Sequence, residues 1–126
     1  KVLVTGASGQ LGHELKRSCP QGVTLIETDR ETLDITDSAA IAAAFEEYAP
    51  DWLINAAAYT AVDKAESEPG AARAGNVDAP ANLARACAAN DVRFIHVSTD
   101  FVFDGAASSP YAPAAPTNPL LAVEMK

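Results

Sequence analysis

Val2-Leu3-Val4-Thr5-Gly6-Ala7-Ser8-Gly9-Gln10-Leu11-Gly12 reads as a buried strand that runs into a glycine turn and then into a helix. The apolar β-branched run supplies the strand. Glycines at three-residue spacing let backbone approach a phosphate where a Cβ would collide, and the turn amides and helix dipole then face the anion. No lysine precedes a Ser or Thr in the turn, so the P-loop pattern is not met. A dinucleotide-binding strand-turn-helix fits better.

Working outward, strands and helices alternate. Leu11, Leu15 and Cys19 fall at helical spacing, and Pro20 and Gly22 stop that helix. Val23 to Thr28 reads as a second strand. Thr36, Asp37 and Ser38 are candidate caps for a helix with Ile41, Ala44, Phe45 and Tyr48 on one apolar face, ended by Pro50. Trp52 to Asn55 is a third strand and Arg93 to Ser98 a fourth. Between them Asp63 to Asn90 is alanine-rich and helical in propensity, interrupted at Pro69-Gly70 and started or kinked at Pro80. This order predicts an α/β fold, a three-layer parallel sheet with helices on both faces and a ligand crevice at the carboxyl ends of the strands. From Asp104 to Pro119 four prolines spaced through small residues mark a loop or linker.

The 126 residues suffice for one domain, 48% hydrophobic and 21% charged, with no run long enough to span a bilayer. No signal sequence precedes Lys1, and Cys19 and Cys87 lack companion ligands. A cytoplasmic setting with reduced thiols is the expectation. A net charge of −8 argues against nucleic acid or acidic membranes as partners. A small anionic cofactor is a different case, because oriented amides and one or two local cations can hold it.

Three strand ends carry the remaining polar residues, and a parallel sheet brings such ends to one crevice. Asp29 and Arg30 follow the second strand where these folds read the adenosine ribose. The acid favours a free 2′-hydroxyl and the arginine a 2′-phosphate, so NADH and NADPH both stay open; two exposed loop charges are the plainer reading. Asp34 and Ile35 lie where the adenine would rest. After the third strand, Asn55-Ala56-Ala57-Ala58-Tyr59-Thr60 keeps the crevice free of bulk, although an alanine run also favours helix. Ser98-Thr99-Asp100 offers hydroxyls that could bond a substrate carbonyl or simply cap a strand end.

Together these blocks resemble the extended short-chain dehydrogenases/reductases with their Rossmann-type sheet, and within them the dTDP-4-dehydrorhamnose reductase family. The resemblance runs from residue 1 to about residue 120. Its more particular parts are Leu33-Asp34-Ile35-Thr36-Asp37, the stretch from Asn55 to Glu66, and Ser98-Thr99-Asp100-Phe101-Val102-Phe103-Asp104-Gly105. It implies NADPH- or NADH-dependent reduction of the 4-keto group of dTDP-4-dehydro-L-rhamnose to dTDP-L-rhamnose, for cell-surface polysaccharide. By position, Gly6, Gly9, Gln10, Leu11 and Gly12 would hold the pyrophosphate. Asp29, Arg30, Asp34 and Ile35 would hold the adenosine end, and Ala56, Ala57, Ala58 and Tyr59 the nicotinamide side. Thr99 matches the catalytic Ser or Thr, and Val62, Thr99, Asp100 and Phe101 match positions near the sugar nucleotide. Glu14 matches a glutamate that binds Mg2+ at a homodimer interface in some relatives; a solvated helix carboxylate is the competing reading.

The family's Tyr-x-x-x-Lys should follow Asn118-Pro119-Leu120, and Leu121 to Lys126 contain no tyrosine: four residues before Lys126 stands Ala122. Truncation and a gap after Leu120 both fit. The expectation is one NAD(P)-binding domain over 1–126 with a proline-rich loop at 104–119, a truncated sheet and no C-terminal substrate subdomain. Such a chain should bind cofactor without turnover and self-associate through its uncovered sheet. A non-catalytic NAD(P)-binding regulatory module, or a reductase or epimerase of another nucleotide sugar, is the alternative.

Overall fold

The computed structural model describes residues 1–120. Strands β1 (Val2–Thr5), β2 (Leu25–Thr28), β3 (Trp52–Asn55) and β4 (Arg93–His96) form one parallel sheet in the order β2-β1-β3-β4. Helix α1 (Gln10–Arg17) joins β1 to β2, and α2 (Ser38–Tyr48) joins β2 to β3. The connection from β3 to β4 holds α3 (Val62–Ser67), α4 (Pro69–Arg73), a π-helical turn (Ala74–Asp78) and α5 (Ala79–Ala89). The chain winds from β1 to one side and then returns to the other. The carboxyl ends of β1 and β3 therefore flank the topological switch point, where open α/β sheets bind ligands.

Register fixes the two faces. Leu3 stands level with Ile26 and Leu53, and Leu53 with Phe94. This row packs against Ile41 and Phe45 of α2 and Leu83 and Cys87 of α5, forming the main core. Val4, Glu27, Ile54 and Ile95 alternate onto the other face. There Lys16 of α1 meets Glu27 at 3.0 Å, so α1 lies over the β1–β2 side. The β3–β4 side of that face is open: Ile95 is 44% exposed and Val97 42%. The Arg93 guanidinium sits 4.9 Å from the Trp52 ring centre at the same edge. Helices thus cover both faces as expected, but unequally.

Several boundaries differ from the sequence reading. β2 begins at Leu25 rather than Val23, because Gly22 takes φ +87° and the Val23 amide donates to Pro20 O in a turn. β4 ends at His96, before Ser98. Leu11, Leu15 and Cys19 do not make a buried helix face: Leu11 is exposed, Leu15 half-buried, and Cys19 lies past the end of α1. The buried residue of α1 is Gly12, through which the helix presses on the preceding loop. Among the candidate caps of α2, Asp37 is the one used, its carboxylate accepting from the Ala39 amide at 2.8 Å.

Pro69 opens α4, where a missing N–H costs nothing. Pro80 acts differently. It stands four residues after Asn76, cannot donate to that carbonyl and crowds it. The helix widens into the π turn over Ala74–Asp78 directly upstream.

The proline-rich stretch contains no helix or strand yet is tied together. Asp104 accepts from Tyr111 Oη at 2.7 Å, the Ala106 amide at 3.0 Å and Asn118 Nδ2 at 3.1 Å. The Phe103 and Tyr111 rings stack at 4.4 Å. These contacts hold the Asp104 carboxyl down at about 2, the Ala106 amide contributing most. Cys19 and Cys87 are free thiols. No helix among the described residues is long and apolar enough to cross a membrane.

Candidate functional site

Buried polar side chains stitch the strand ends that form the crevice. Thr5 Oγ1 donates to Asn55 Oδ1 at 2.6 Å, and the same oxygen accepts the Ala57 amide at 3.2 Å. Asn55 Nδ2 donates to His96 Nδ1 at 3.1 Å, reaching β4. On the other side Thr28 Oγ1 donates to Val4 O at 2.9 Å, and the Ala7 amide to Thr28 O at 2.9 Å. The apolar strands thus end in a layer of hydrogen-bonded polar side chains that fixes the loops above them.

The turn after β1 uses its glycines in three ways. Gly6 has φ +70°, and a Cβ there would meet Ala57 N at 2.6 Å, so the β1 and β3 loops touch through it. A Cβ on Gly12 would fall 2.4 Å from Ala7 Cα, so this glycine serves helix–loop packing. A Cβ on Gly9 would press on Gly6 O at 3.2 Å, a tighter approach than a side chain normally makes, though less severe than at Gly6 or Gly12. Gly9 is also the N-cap of α1 and makes no side-chain cap bond. The first-turn amides, which have no partner within a helix, are left for a ligand.

A cleft of about 450 Å³ opens at this point. Gly6 and Gly9 line one wall, Asp29, Arg30, Asp34 and Ile35 the second, and Ala56, Ala57, Ala58 and Tyr59 the third. Ten of the residues singled out in the sequence therefore share one cavity. Ser8, Leu33, Thr36, Ala71, Ala74 and Gly75 complete it with Thr5. Gln10, Leu11 and Gly12 do not line it: they belong to the first turn of α1, where Leu11 faces solvent and Gly12 faces Ala7.

Both acids of the second wall are engaged through Oδ1. Asp29 Oδ1 accepts from Thr32 Oγ1 at 3.0 Å and from the Thr32 and Glu31 amides at 3.1 Å. These bonds, the Thr32 hydroxyl first, lower its pKa. Asp34 Oδ1 takes the Thr36 hydroxyl at 2.7 Å and amide at 2.9 Å, and its pKa is lowered by the Thr36 hydroxyl, the Thr36 amide and the charge of Arg30. Both aspartates shape loops through Oδ1, and Arg30 is the cation that lines the cleft between them. On the third wall Tyr59 Oη donates to Glu68 at 3.1 Å. Burial first, then Glu68, raises the phenol's pKa.

Thr99, Asp100 and Phe101 stand apart from this cleft. Thr99 caps a short 3-10 turn, Asp100–Val102, its hydroxyl accepting from the Phe101 amide at 3.3 Å. Asp100 and Phe101 line a second cavity of about 690 Å³ with Phe103, Asp104, Gly105, Tyr111 and Leu120. The side chain of Val62 and the positions of Ala122 and Lys126 lie outside the described residues. Glu14 is bound to Arg17, whose Nε donates to it at 2.9 Å. No group of three or more metal-binding side chains occurs among the described residues.

Two buried asparagines escaped the sequence reading as functional residues. Asn55 ends an apolar strand, a polar residue where burial forces it to bond, and that anomaly was its available signal. Asn76 had none, because its burial depends on the π turn.

Strand order, glycine turn and switch-point cleft define a Rossmann-type nucleotide-binding fold. The chain belongs to the family described as RmlD substrate binding domain, whose model matches residues 1–123. It is 47% identical over 118 residues to dTDP-4-dehydrorhamnose reductase of Streptomyces griseus, covering 93% of this chain and 39% of that protein. A crystal structure of a dTDP-4-dehydrorhamnose reductase from Clostridium acetobutylicum superposes with a TM-score of 0.92 at 41% identity, over 98% of this chain and 44% of that one. The Bacillus anthracis dTDP-4-dehydrorhamnose reductase in complex with NADP gives 0.92 at 32% identity, again over 98% and 44%. The chain therefore spans about two fifths of the length of these relatives.

Proposed function

We propose that this chain is the NAD(P)H-binding part of a cytoplasmic dTDP-4-dehydrorhamnose reductase, which reduces dTDP-4-dehydro-L-rhamnose to dTDP-L-rhamnose. The observation that carries this is the shared cleft: the Gly9 backbone at a helix start without a side-chain cap, a cation at one end and small residues along the other. The named relatives, one of them solved with NADP, agree with it.

The residues fit a dinucleotide as follows. Gly9 and the first-turn amides of α1 take the pyrophosphate. Ile35 and Asp34 border the adenine, and Arg30 takes a 2′-phosphate. Asp29, engaged through Oδ1, keeps its second oxygen for a free 2′-hydroxyl, so the second wall carries a group for NADH as well as for NADPH. Ala56 to Tyr59 leave room for the nicotinamide, which supplies the hydride when bound. Thr99 then polarises the substrate ketone with its hydroxyl, stabilising the oxygen as negative charge develops, while Val62, Asp100 and Phe101 border the sugar nucleotide. The 126 residues contain no Tyr-x-x-x-Lys, so this chain has no such proton donor and binds cofactor without turnover. Glu14, exposed and paired with Arg17, is the residue of this chain that would meet Mg2+ at a homodimer interface. Self-association into a homodimer through the open strip at Ile95 and Val97 belongs to the same reading.

The test joins residues 1–120 to the C-terminal three fifths of the S. griseus relative. The fusion should consume NADPH with dTDP-4-dehydro-L-rhamnose and lose at least about 100-fold with Thr99→Ala. A folded fusion that binds NADPH but reduces no dTDP-4-keto sugar would favour a regulatory module.

A further inference from the structure

The wall formed by Ala56–Tyr59 is held by a residue outside the cleft. Asn76, 1% exposed, sits in the π-helical turn. Its Oδ1 accepts the Tyr59 amide at 2.8 Å, and its Nδ2 donates to the Tyr59 carbonyl at 3.0 Å. One side-chain amide thus pairs with both backbone groups of a single residue, as a neighbouring strand would. The chain needs this because Tyr59 lies beyond β3, where no strand can satisfy it. The neighbouring Gly75 adds a steric stop: a Cβ there would lie 3.2 Å from Tyr59 Cβ. The placement of Asn76 depends on the π turn, which Pro80 imposes from four residues downstream.

We propose that Asn76 is a positioning residue which, with Gly75, sets the height of the Tyr59 peptide and hence the width of the nicotinamide side of the cleft. The π turn is then the device that turns the Asn76 amide onto the loop. This rests on the cofactor reading above, and it makes a demand that general stability does not. Weakening the clamp must reduce affinity for the whole dinucleotide and spare ligands that lack nicotinamide, because Gly9 and Arg30 are untouched.

The experiment compares the chain with its Asn76→Asp and Gly75→Ala variants, using Leu83→Ala as a control for a buried loss in α5 away from the loop. NADPH and 2′-phospho-ADP-ribose are titrated calorimetrically well below each melting temperature. Amide exchange at Tyr59 is followed without ligand. Asn76→Asp keeps one acceptor oxygen and sets a carboxylate against the Tyr59 carbonyl. It should weaken NADPH about tenfold, leave 2′-phospho-ADP-ribose within twofold, and speed Tyr59 exchange at least tenfold while Leu53 stays protected. Gly75→Ala, which suits a helix and leaves the hydrogen bonds possible, should weaken NADPH only. Leu83→Ala should lower the melting temperature and leave both affinities within twofold. Equal loss of both ligands in Asn76→Asp, or no loss of either, overturns the proposal. A parent chain that binds neither ligand overturns the cofactor reading instead, and Tyr59 exchange then decides the clamp alone: slow in the parent and fast in Asn76→Asp supports it, fast in both refutes it.

Discussion

Thr5 Oγ1 and Asn55 Oδ1 meet at 2.6 Å with both residues almost wholly buried, joining the carboxyl ends of β1 and β3 beneath the cleft. Asn55→Ala strands the Thr5 hydroxyl and the Ala57 amide together, and should cost about 2–4 kcal/mol of folding stability. Thr5→Val leaves Asn55 Oδ1 its bond from Ala57 and should cost about 1 kcal/mol. Urea unfolding of the two variants checks this; equal losses would mean that Asn55 is not the hub.

Gly12 is a packing glycine, with Ala7 Cα 2.4 Å from where its Cβ would be. Since the obstacle is backbone, Gly12→Ala should destabilise the chain by at least about 2 kcal/mol. Thermal unfolding at matched concentration reads the effect, and an unchanged melting temperature would show that α1 can lift away without penalty.

Much of this was legible in the sequence, for reasons that differ by residue. β3 was read to the residue, because Trp52 to Asn55 is bounded by Pro50 and a small-residue loop. Gly6, Gly9, Arg30 and Ala56 to Tyr59 were placed together because parallel strands all end on one side. Motif position assigns Gln10, Leu11 and Gly12 to the pyrophosphate; their side chains lie outside the cleft, and the part left to them is that of their backbone amides at the start of α1. Asp29 reads as a ribose acceptor from its place after β2; its Oδ1 bonds to Thr32 depend on a local turn that the sequence does not show. The π turn required knowing where the helix crossing Pro80 would meet the Tyr59 loop.

Cys87 packs between α5 and the sheet, 2% exposed, and burial pushes its thiol up to about 11. At pH 8 it is therefore neutral as well as shielded, and the thiolate is the reactive form. With Ellman's reagent, Cys19, which is half-buried, should react fast, and Cys87 only on unfolding. Two fast thiols per folded chain would contradict the packing of α5.

Asp104 holds the 104–119 loop through Tyr111, Ala106 and Asn118, and its carboxyl is lowered from 3.8 to about 2. A lowered folded-state pKa means that its contribution is complete above about 4 and is lost as pH falls toward 2. The NMR shift of the Tyr111 ring should titrate with a midpoint near 2, and Asp104→Asn should abolish the step. A midpoint near 3.8 would show the loop open in solution.

The central claim is that the cleft beside Gly9 is a dinucleotide site, and calorimetric titration of NADPH into the chain and its Gly9→Val variant tests it most directly. A Cβ on Gly9 would stand 3.2 Å from Gly6 O, so the variant should fold with some loss of stability while its side chain enters the pyrophosphate position. The expected result is saturable binding of one NADPH per chain, lost in Gly9→Val at a temperature well below that variant's own melting temperature. Binding of equal affinity in a folded Gly9→Val, or none in the parent chain, would contradict the account.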